Sequence, residues 1–328
     1  MAKKIIDVTA AIIVKQGKIL AARRGPGKHL QGYWEFPGGK VEENESPEIC
    51  LERELFEELS ISSRVGAYIG KSVFDYGEKI VRLMAYEVEH LSGDFKLVDH
   101  DEICWLDLEQ IDDLKWAPAD IPLIEQYKSR ASVDRYYSSN AVEYCEETSE
   151  FDVGDLYSPF LENITKGAHI LDLGCGSGRD SKAFRELGYE VTSIDASPEI
   201  AAWASTYTGH PVIVKSFLEM DEVEKYDGVW ASASLLHCHQ EQLPEVVDKI
   251  LNSLKLGGVA YLSFKWGEFM SLDDRGRYFS NLTTQSLAQL LESVLNAEVL
   301  KIWDSEALLR GKPQRWVYAT IRKCGDPL

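Results

Sequence analysis

Between Ala168 and Lys265 the chain alternates short strand-like runs with helical ones: HILDL, DSKAFRELG, YEVTSID, PEIAAWASTY, PVIVKSF, DGVWASAS, PEVVDKILNSL and VAYLSFK. This alternation constrains the fold more than any other feature. A strand followed by a crossover helix returns parallel to itself, so the pattern predicts an α/β, doubly wound, mostly parallel sheet. The preceding residues have a different texture. IIDVTAAIIVKQGKILAARR reads as two strands about a turn at Gln16-Gly17. A helix is expected from about Pro47 to Leu59, with Ser46 as N-cap and Pro47 at the first helical position. VGAYIGKSVFDYG, KIVRLMAYEVEHL and ICWLDL read as strands, and IPLIEQYKSR as a closing helix. This half is α+β. At 328 residues the chain is long for one domain. The change of texture places the boundary between Tyr127 and Asp134, giving domains 1–130 and 131–328. A tyrosine-rich, mostly helical segment opens the second domain.

Charge narrows the function. The formal net charge is -19, which argues against nonspecific binding to nucleic acid or an anionic membrane. It suits a small-molecule enzyme or one that recruits cations. The six cysteines, at 50, 104, 145, 175, 238 and 324, form no C-x-x-C pair, which points to a reducing compartment rather than a disulfide framework. The N-terminus lacks a signal-peptide pattern and no run is long enough to span a membrane, so a cytoplasmic protein is expected. Nothing in the sequence specifies an oligomeric state.

The stretch GGKVEENESPEICLERELFEELSI packs eight glutamates against one arginine, Arg53. Glu54, Glu57 and Glu58 stand at i, i+3 and i+4, on one face of the expected helix. Leu51, Leu55 and Leu59 form an apolar stripe beside them and dock the helix on a core. Three carboxylates converging at such a partly buried place would have strongly raised pKa values unless a cation neutralised them. Hard oxygen ligands suit Mg²⁺ or Mn²⁺, and phosphates are the natural partner of such a site. The alternative is a solvated acidic face.

Gly39, Glu45, Arg53-Glu54-Leu55-Phe56-Glu57-Glu58 and Ile61 match the Nudix box, G-x5-E-x7-R-E-U-x-E-E-x-G-U, with Ser60 in place of its last glycine. Residues 1 to about 128 thus resemble a MutT-like Nudix hydrolase, with a mixed sheet between helices. The resemblance implies that Glu54, Glu57 and Glu58 ligate the metal with help from the Gly38 carbonyl, and that Arg53 orients the carboxylates. Glu45 completes the box. Arg24 and Lys40 would hold phosphates, and a further acid would come from LVDHDEICW: Asp99, with Asp101 and Glu102 as rivals. WAPADIPLIEQY resembles the segment that reads the base in enzymes hydrolysing pyrimidine or modified triphosphates. Asp120 would do this here, as acceptor from an amine such as cytosine N4. Its other reading is a cap for the following helix. The implied reaction is hydrolysis of a nucleoside triphosphate to monophosphate and pyrophosphate.

HILDLGCGSGRD sets Gly174, Gly176 and Gly178 between a strand and a helix, where backbone can approach a ligand closely. Asp195 ends the next strand, well placed for ribose hydroxyls. With KLGGVAYLSFK, residues from about 135 to 328 resemble a class I S-adenosylmethionine-dependent methyltransferase of Rossmann-like fold. That resemblance implies that Asp172 and the three glycines line the methionine side of the cofactor, that Asp195 binds the ribose, and that Ser216 and Phe217 flank the adenine. Tyr136, Tyr137 and Tyr144 would form an aromatic lid favouring a sulfonium by cation–π attraction, or would pack as ordinary core. The methyl acceptor is expected to be small. His237 is a candidate for contact with it, as base or otherwise. Lys265, Arg275, Arg277, Arg310, Lys312 and Arg315 gather in two late segments of an acidic chain and suggest an anion-binding acceptor pocket, against the bland reading of solvated surface charge.

The expected protein is therefore a bifunctional fusion, and the nucleotide itself is one candidate methyl acceptor. Two rivals stand beside it. The first domain could sense a nucleotide and regulate the second without hydrolysis, or the second could bind a dinucleotide as an oxidoreductase.

Overall fold

The computed structural model of the chain describes residues 3–309 and 312–325. It forms two compact units, residues 1–128 and 129–328.

The first unit is built on strands β1 (Ile5–Lys15), β2 (Lys18–Arg24), β3 (Trp34–Glu35), β4 (Ser62–Asp75), β5 (Ile80–Ser92) and β6 (His100–Leu106). Their order is β3-β2-β1-β5-β4, with β6 also paired to β2. The sheet is mixed: β1 runs parallel to β5 and antiparallel to β2. Gln16 and Gly17 both take positive φ, 52° and 77°, the turn whose twist suits a two-residue hairpin. Along β1 the side chains alternate between two cores. Ala10 and Ile12 pack with Leu123 and Ile124, at the start of helix α2 (Ile121–Ser149). Ala11 and Ile13 pack with Leu51, Leu55 and Leu59 of helix α1 (Pro47–Leu59). Burial on both faces explains why β1 reads as a continuous apolar run rather than an alternating one.

Helix α1 has the limits its caps dictate. The Ser46 side chain accepts from the Ile49 N–H, and Pro47 opens the helix. Ser60 ends it in the left-handed conformation, φ 57° and ψ 32°, with its N–H on the Phe56 carbonyl. A residue with a Cβ pays about 1–2 kcal/mol there. Ser60→Gly should therefore stabilise the unit by about 0.5–1 kcal/mol, read as a higher denaturation midpoint.

The second unit holds strands β7 (His169–Leu173), β8 (Glu190–Asp195), β9 (Val212–Val214), β10 (Tyr226–Ala231), β11 (Leu254–Lys265), the short pair β12 (Ser271–Leu272) and β13 (Tyr278–Phe279), and β14 (Ala297–Leu309) and β15 (Lys312–Lys323). Its helices are α3 (Ser158–Leu161), α4 (Arg179–Glu186), α5 (Pro198–Thr208), α6 (Leu243–Ser253) and α7 (Thr284–Glu292). The main sheet has the order β14-β15-β11-β10-β7-β8-β9. Strands β7 to β11 pair with one another in parallel. The chain leaves β7 for β8 and β9, then crosses back to β10 and β11. The reversal beside β7 opens a crevice at the carboxyl ends of the strands, where ligands bind in such sheets.

Two features go beyond the sequence reading. The last strands, β14 and β15, form an antiparallel pair joined to β11. Helix α2 does not close near Arg130 but continues to Ser149, interrupted at Asn140, where φ is -126° and ψ is 16°. The Asn140 side-chain amide donates to the Tyr136 carbonyl at 2.8 Å beside the break. Among the described residues no helix is long and apolar enough to cross a membrane.

Candidate functional sites

In the first unit, helix spacing puts the box acids on one face, and Arg53 then sorts them. Its guanidinium donates to Glu45 at 2.7 and 3.2 Å, to Glu54 at 2.9 Å and to Glu57 at 3.3 Å. The Arg53 hydrogen bonds pull the Glu45 carboxyl down to about 2. Glu54 fits beneath the loop only because residue 39 is glycine: a Cβ there would lie 2.0 Å from the Glu54 carboxyl carbon. Glu57 remains largely exposed.

Glu58 stands apart. Its Oε2 is buried without a hydrogen-bond partner and lies 4.0 Å from His100 Nδ1, which is likewise buried and unpartnered. His100 Nε2 sits 2.9 Å from Glu35 Oε1, which can only accept, so Nε2 carries a proton. Burial pushes the Glu58 carboxyl up to about 7, and the charges of Glu35, Asp99 and Glu54 add to the rise. The expectation of three converged carboxylates is corrected accordingly. Arg53 draws Glu54 and Glu57 to itself, and Glu58 alone faces the cavity. Among the described residues no ready-made group of three metal-ligating side chains is found. The orphaned Glu58 oxygen, the adjacent acids and the all-oxygen chemistry fit a hard divalent cation, which Glu58, Glu54 and Glu57 would hold after side-chain rotation.

A cavity of about 260 Å³ extends from this point. Glu58, Asp99, Gly38, Arg24 and Lys40 line it, as does Asp120. The two rivals of Asp99 are held elsewhere: Asp101 and Glu102 both pair with Arg23 at 2.7 Å. Asp99 pairs with Lys28, another cation of the cavity wall. Arg24 is paired with Glu35. Asp120 is buried and its Oδ1 accepts the Phe36 N–H at 2.9 Å, a contact across 84 residues rather than a cap on α2. Burial, reinforced by Glu35, raises its carboxyl well above the usual range. Sequence reasoning missed Lys28, Glu35 and His100. Each stands outside the box, and Glu35 in WEFPGG carries no local signal of its role.

In the second unit Gly174, Gly176 and Gly178 follow β7 at the crevice, all with positive φ (72°, 54° and 75°). The Gly176 N–H donates to Asp195 Oδ2 and the Ser197 N–H to Oδ1, both at 3.0 Å. Burial pushes the Asp195 carboxyl up to about 6 against these two bonds. Asp172 is buried beneath the loop, accepts from the Ser181 hydroxyl at 2.5 Å, and is raised by burial. A Cβ on Gly174 would lie 2.6 Å from Ser234 Cβ and 3.3 Å from the Phe217 ring; one on Gly176 would meet the Tyr144 hydroxyl at 3.4 Å. Ser216 caps the short turn that carries Phe217. The bare loop backbone, the acid at the end of β8 and the aromatic edges fit an adenosyl cofactor.

Tyr137 stacks edge-on between Tyr144 and His237, and Tyr136 packs beside it. Lys265 and Arg277 reach the same group. Lys265 Nζ lies 3.3 Å from the Phe279 ring centre, and the Arg277 guanidinium lies over both Tyr136 and Phe279. Arg275 donates to the Tyr136 hydroxyl at 2.8 Å. Arg315 is engaged elsewhere, paired with Asp304 and lying over Trp266. Arg310 and the Lys312 side chain lie outside the described residues.

Residues 3–127 match the family profile of the NUDIX domain, and residues 170–258 that of a methyltransferase domain. The CTP pyrophosphohydrolase of Escherichia coli (strain K12) is 41% identical over 124 residues, 38% of this chain and 92% of that protein. The chain belongs to the Nudix family. An 8-oxo-dGTP diphosphatase of Haemophilus influenzae is 35% identical over 38% of this chain and 93% of its own length. Beyond the Nudix domain, the chain carries a methyltransferase domain. Its fold is that of the crystal structure of Burkholderia thailandensis 1,6-didemethyltoxoflavin-N1-methyltransferase with bound 1,6-didemethyltoxoflavin and S-adenosylhomocysteine. That structure has a TM-score of 0.51 and 20% identity, over 61% of this chain and 90% of the other.

Proposed function

We propose that residues 1–130 hydrolyse a pyrimidine or modified nucleoside triphosphate to the monophosphate and pyrophosphate, and that residues 131–328 methylate a small acceptor from S-adenosylmethionine. The observation that carries the first activity is a single cavity lined by Glu58, Asp99, Arg24 and Lys40 together with Asp120. Its wall combines cations that suit a polyphosphate with a buried acid that suits a base. A bound Mg²⁺ or Mn²⁺ would supply charge neutralisation and polarise water. Around it, Arg53 fixes the carboxylates, Arg24 and Lys40 bind phosphate oxygens, and Glu58 or Asp99 takes a proton from the attacking water. Pyrophosphate release from a panel of natural and modified triphosphates tests this. No release from any of them, with Mg²⁺ present, would reject it.

Asp120 supports the pyrimidine preference. A buried carboxyl that keeps its proton offers both a donor and an acceptor, matching N3 and the N4 amine of cytosine. Asp120→Ala should lower kcat/KM for CTP about 10- to 100-fold, and less for UTP, whose N3 is a donor. Equal losses for both would count against base reading.

For the second activity the residues present the cofactor's ribose with Asp195 and its sulfonium with tyrosine faces. The ionised carboxylate is the form that accepts from ribose hydroxyls. Because Asp195 titrates at about 6, S-adenosylhomocysteine affinity should rise as pH increases through about 6 and level off above about 7. Asp195→Asn should flatten that profile in titration calorimetry.

A further inference from the structure

His237 is half-buried in the second unit with both ring nitrogens engaged. Nδ1 lies 2.9 Å from the Tyr278 carbonyl oxygen, which can only accept, so Nδ1 carries the proton. Nε2 therefore presents a lone pair, and the Tyr137 hydroxyl donates to it at 2.9 Å. Burial, with Arg277 and Lys265 nearby, pushes the ring down to about 3 and keeps it neutral. Tyr137 thus occupies the acceptor face of a histidine whose tautomer is fixed from behind.

Two cations flank this contact. Lys265 is half-buried over the Phe279 ring, and among the described residues its ammonium has no hydrogen-bond or ion-pair partner. Burial pushes it down to about 8. Arg277 is paired with Asp273 at 2.7 Å and lies over the Tyr136 ring. An unpaired ammonium held against aromatic carbon, in a chain of net charge -19, is costly unless something anionic uses it. The rings packed beside these cations are those of Phe279, Tyr136 and Tyr137. The helix carrying both tyrosines is interrupted at Asn140, three residues beyond Tyr137, where the backbone can change direction.

We infer that the methyl acceptor is a planar acidic molecule: its ring lies among Phe279 and Tyr136, its anionic group sits on Lys265 and Arg277, and its N–H or O–H replaces the Tyr137 hydroxyl at His237 Nε2. This rests on the methyltransferase reading and specifies its substrate. A nucleoside monophosphate and a free aromatic acid share this chemistry, and the test separates them.

Titration calorimetry on the full chain, in EDTA and with S-adenosylhomocysteine present, measures binding of salicylate, benzoate, benzyl alcohol, cytidine 5′-monophosphate and inorganic phosphate. Salicylate should bind more tightly than benzoate, and benzyl alcohol should not bind. Lys265→Gln should weaken salicylate at least tenfold. Tyr137→Phe, which vacates the His237 acceptor, should tighten it several-fold, an effect that a purely structural tyrosine would not produce. Binding of the monophosphate by the wild type but not by Lys265→Gln would identify the acceptor as a nucleotide; binding of salicylate alone would identify it as a free acid. Absence of binding by both the monophosphate and the aromatic acids, or affinities unchanged in Lys265→Gln, overturns the inference. S-adenosylhomocysteine binding in the same samples distinguishes this failure from failure of the methyltransferase reading.

Discussion

Glu58→Gln is expected to reduce pyrophosphate release by about 10²–10⁴-fold, the range that a lost metal-holding or proton-accepting carboxylate produces. The same change should make the cation-free protein more stable. Folding forces this carboxyl from 4.5 to about 7, mainly by burial. A folded value above the unfolded one means that stability is lost as pH rises through that interval. At neutral pH the cost is about 2–3 kcal/mol, and glutamine removes it. The signature is therefore paired: activity falls while the melting temperature in EDTA rises, and the stability gain shrinks below about pH 5. A stabilised but fully active Glu58→Gln protein would remove Glu58 from the proposed site. Glu57→Gln should also lose activity, but its side chain is 57% exposed, so no comparable gain in stability is expected.

Gly174→Ala is the second large effect. The residue has a φ of 72°, and its new Cβ would stand 2.6 Å from Ser234 Cβ and 3.3 Å from Phe217. The left-handed conformation costs about 1–2 kcal/mol for alanine. The clash must also displace backbone at the point where a cofactor would approach most closely. S-adenosylhomocysteine affinity should fall at least a hundredfold, measured by calorimetry, while pyrophosphate release stays within about twofold. Retained affinity would mean that the glycine loop does not cradle the cofactor.

Some of this was legible because it is written locally. Ser46, Pro47 and the leucine stripe define α1 to the residue, and the Gln16-Gly17 turn defines its hairpin. The strand–helix alternation after Ala168 determines a parallel sheet through crossover connections. The final hairpin of β14 and β15 has no such signal. Its pairing is with β11, and its residues alternate no more clearly than an exposed loop would. The acidic helix was readable as a face of three glutamates, but not as side chains divided by Arg53. Likewise Glu35, His100 and Lys28 come from segments far from the box, and only folding brings them beside Glu58 and Asp99. Arg315 shows the converse. Its sign and its place in the second of two late segments group it with Lys265 and Arg277, yet its guanidinium is engaged by Asp304 and Trp266.

The reach of Arg53 has a consequence for how the Nudix domain would take up a divalent ion. The guanidinium already satisfies Glu54 and Glu57, so a divalent cation does not enter a strained cluster of bare charges. It must compete with an arginine for the same oxygens, and loading is an exchange of one positive partner for another. Part of the binding energy goes to freeing those two carboxylates, which predicts a loosely held ion whose occupancy follows the ambient concentration. Replacing Arg53 with methionine should then reverse the usual expectation for an active-site deletion: tighter metal binding together with slower turnover.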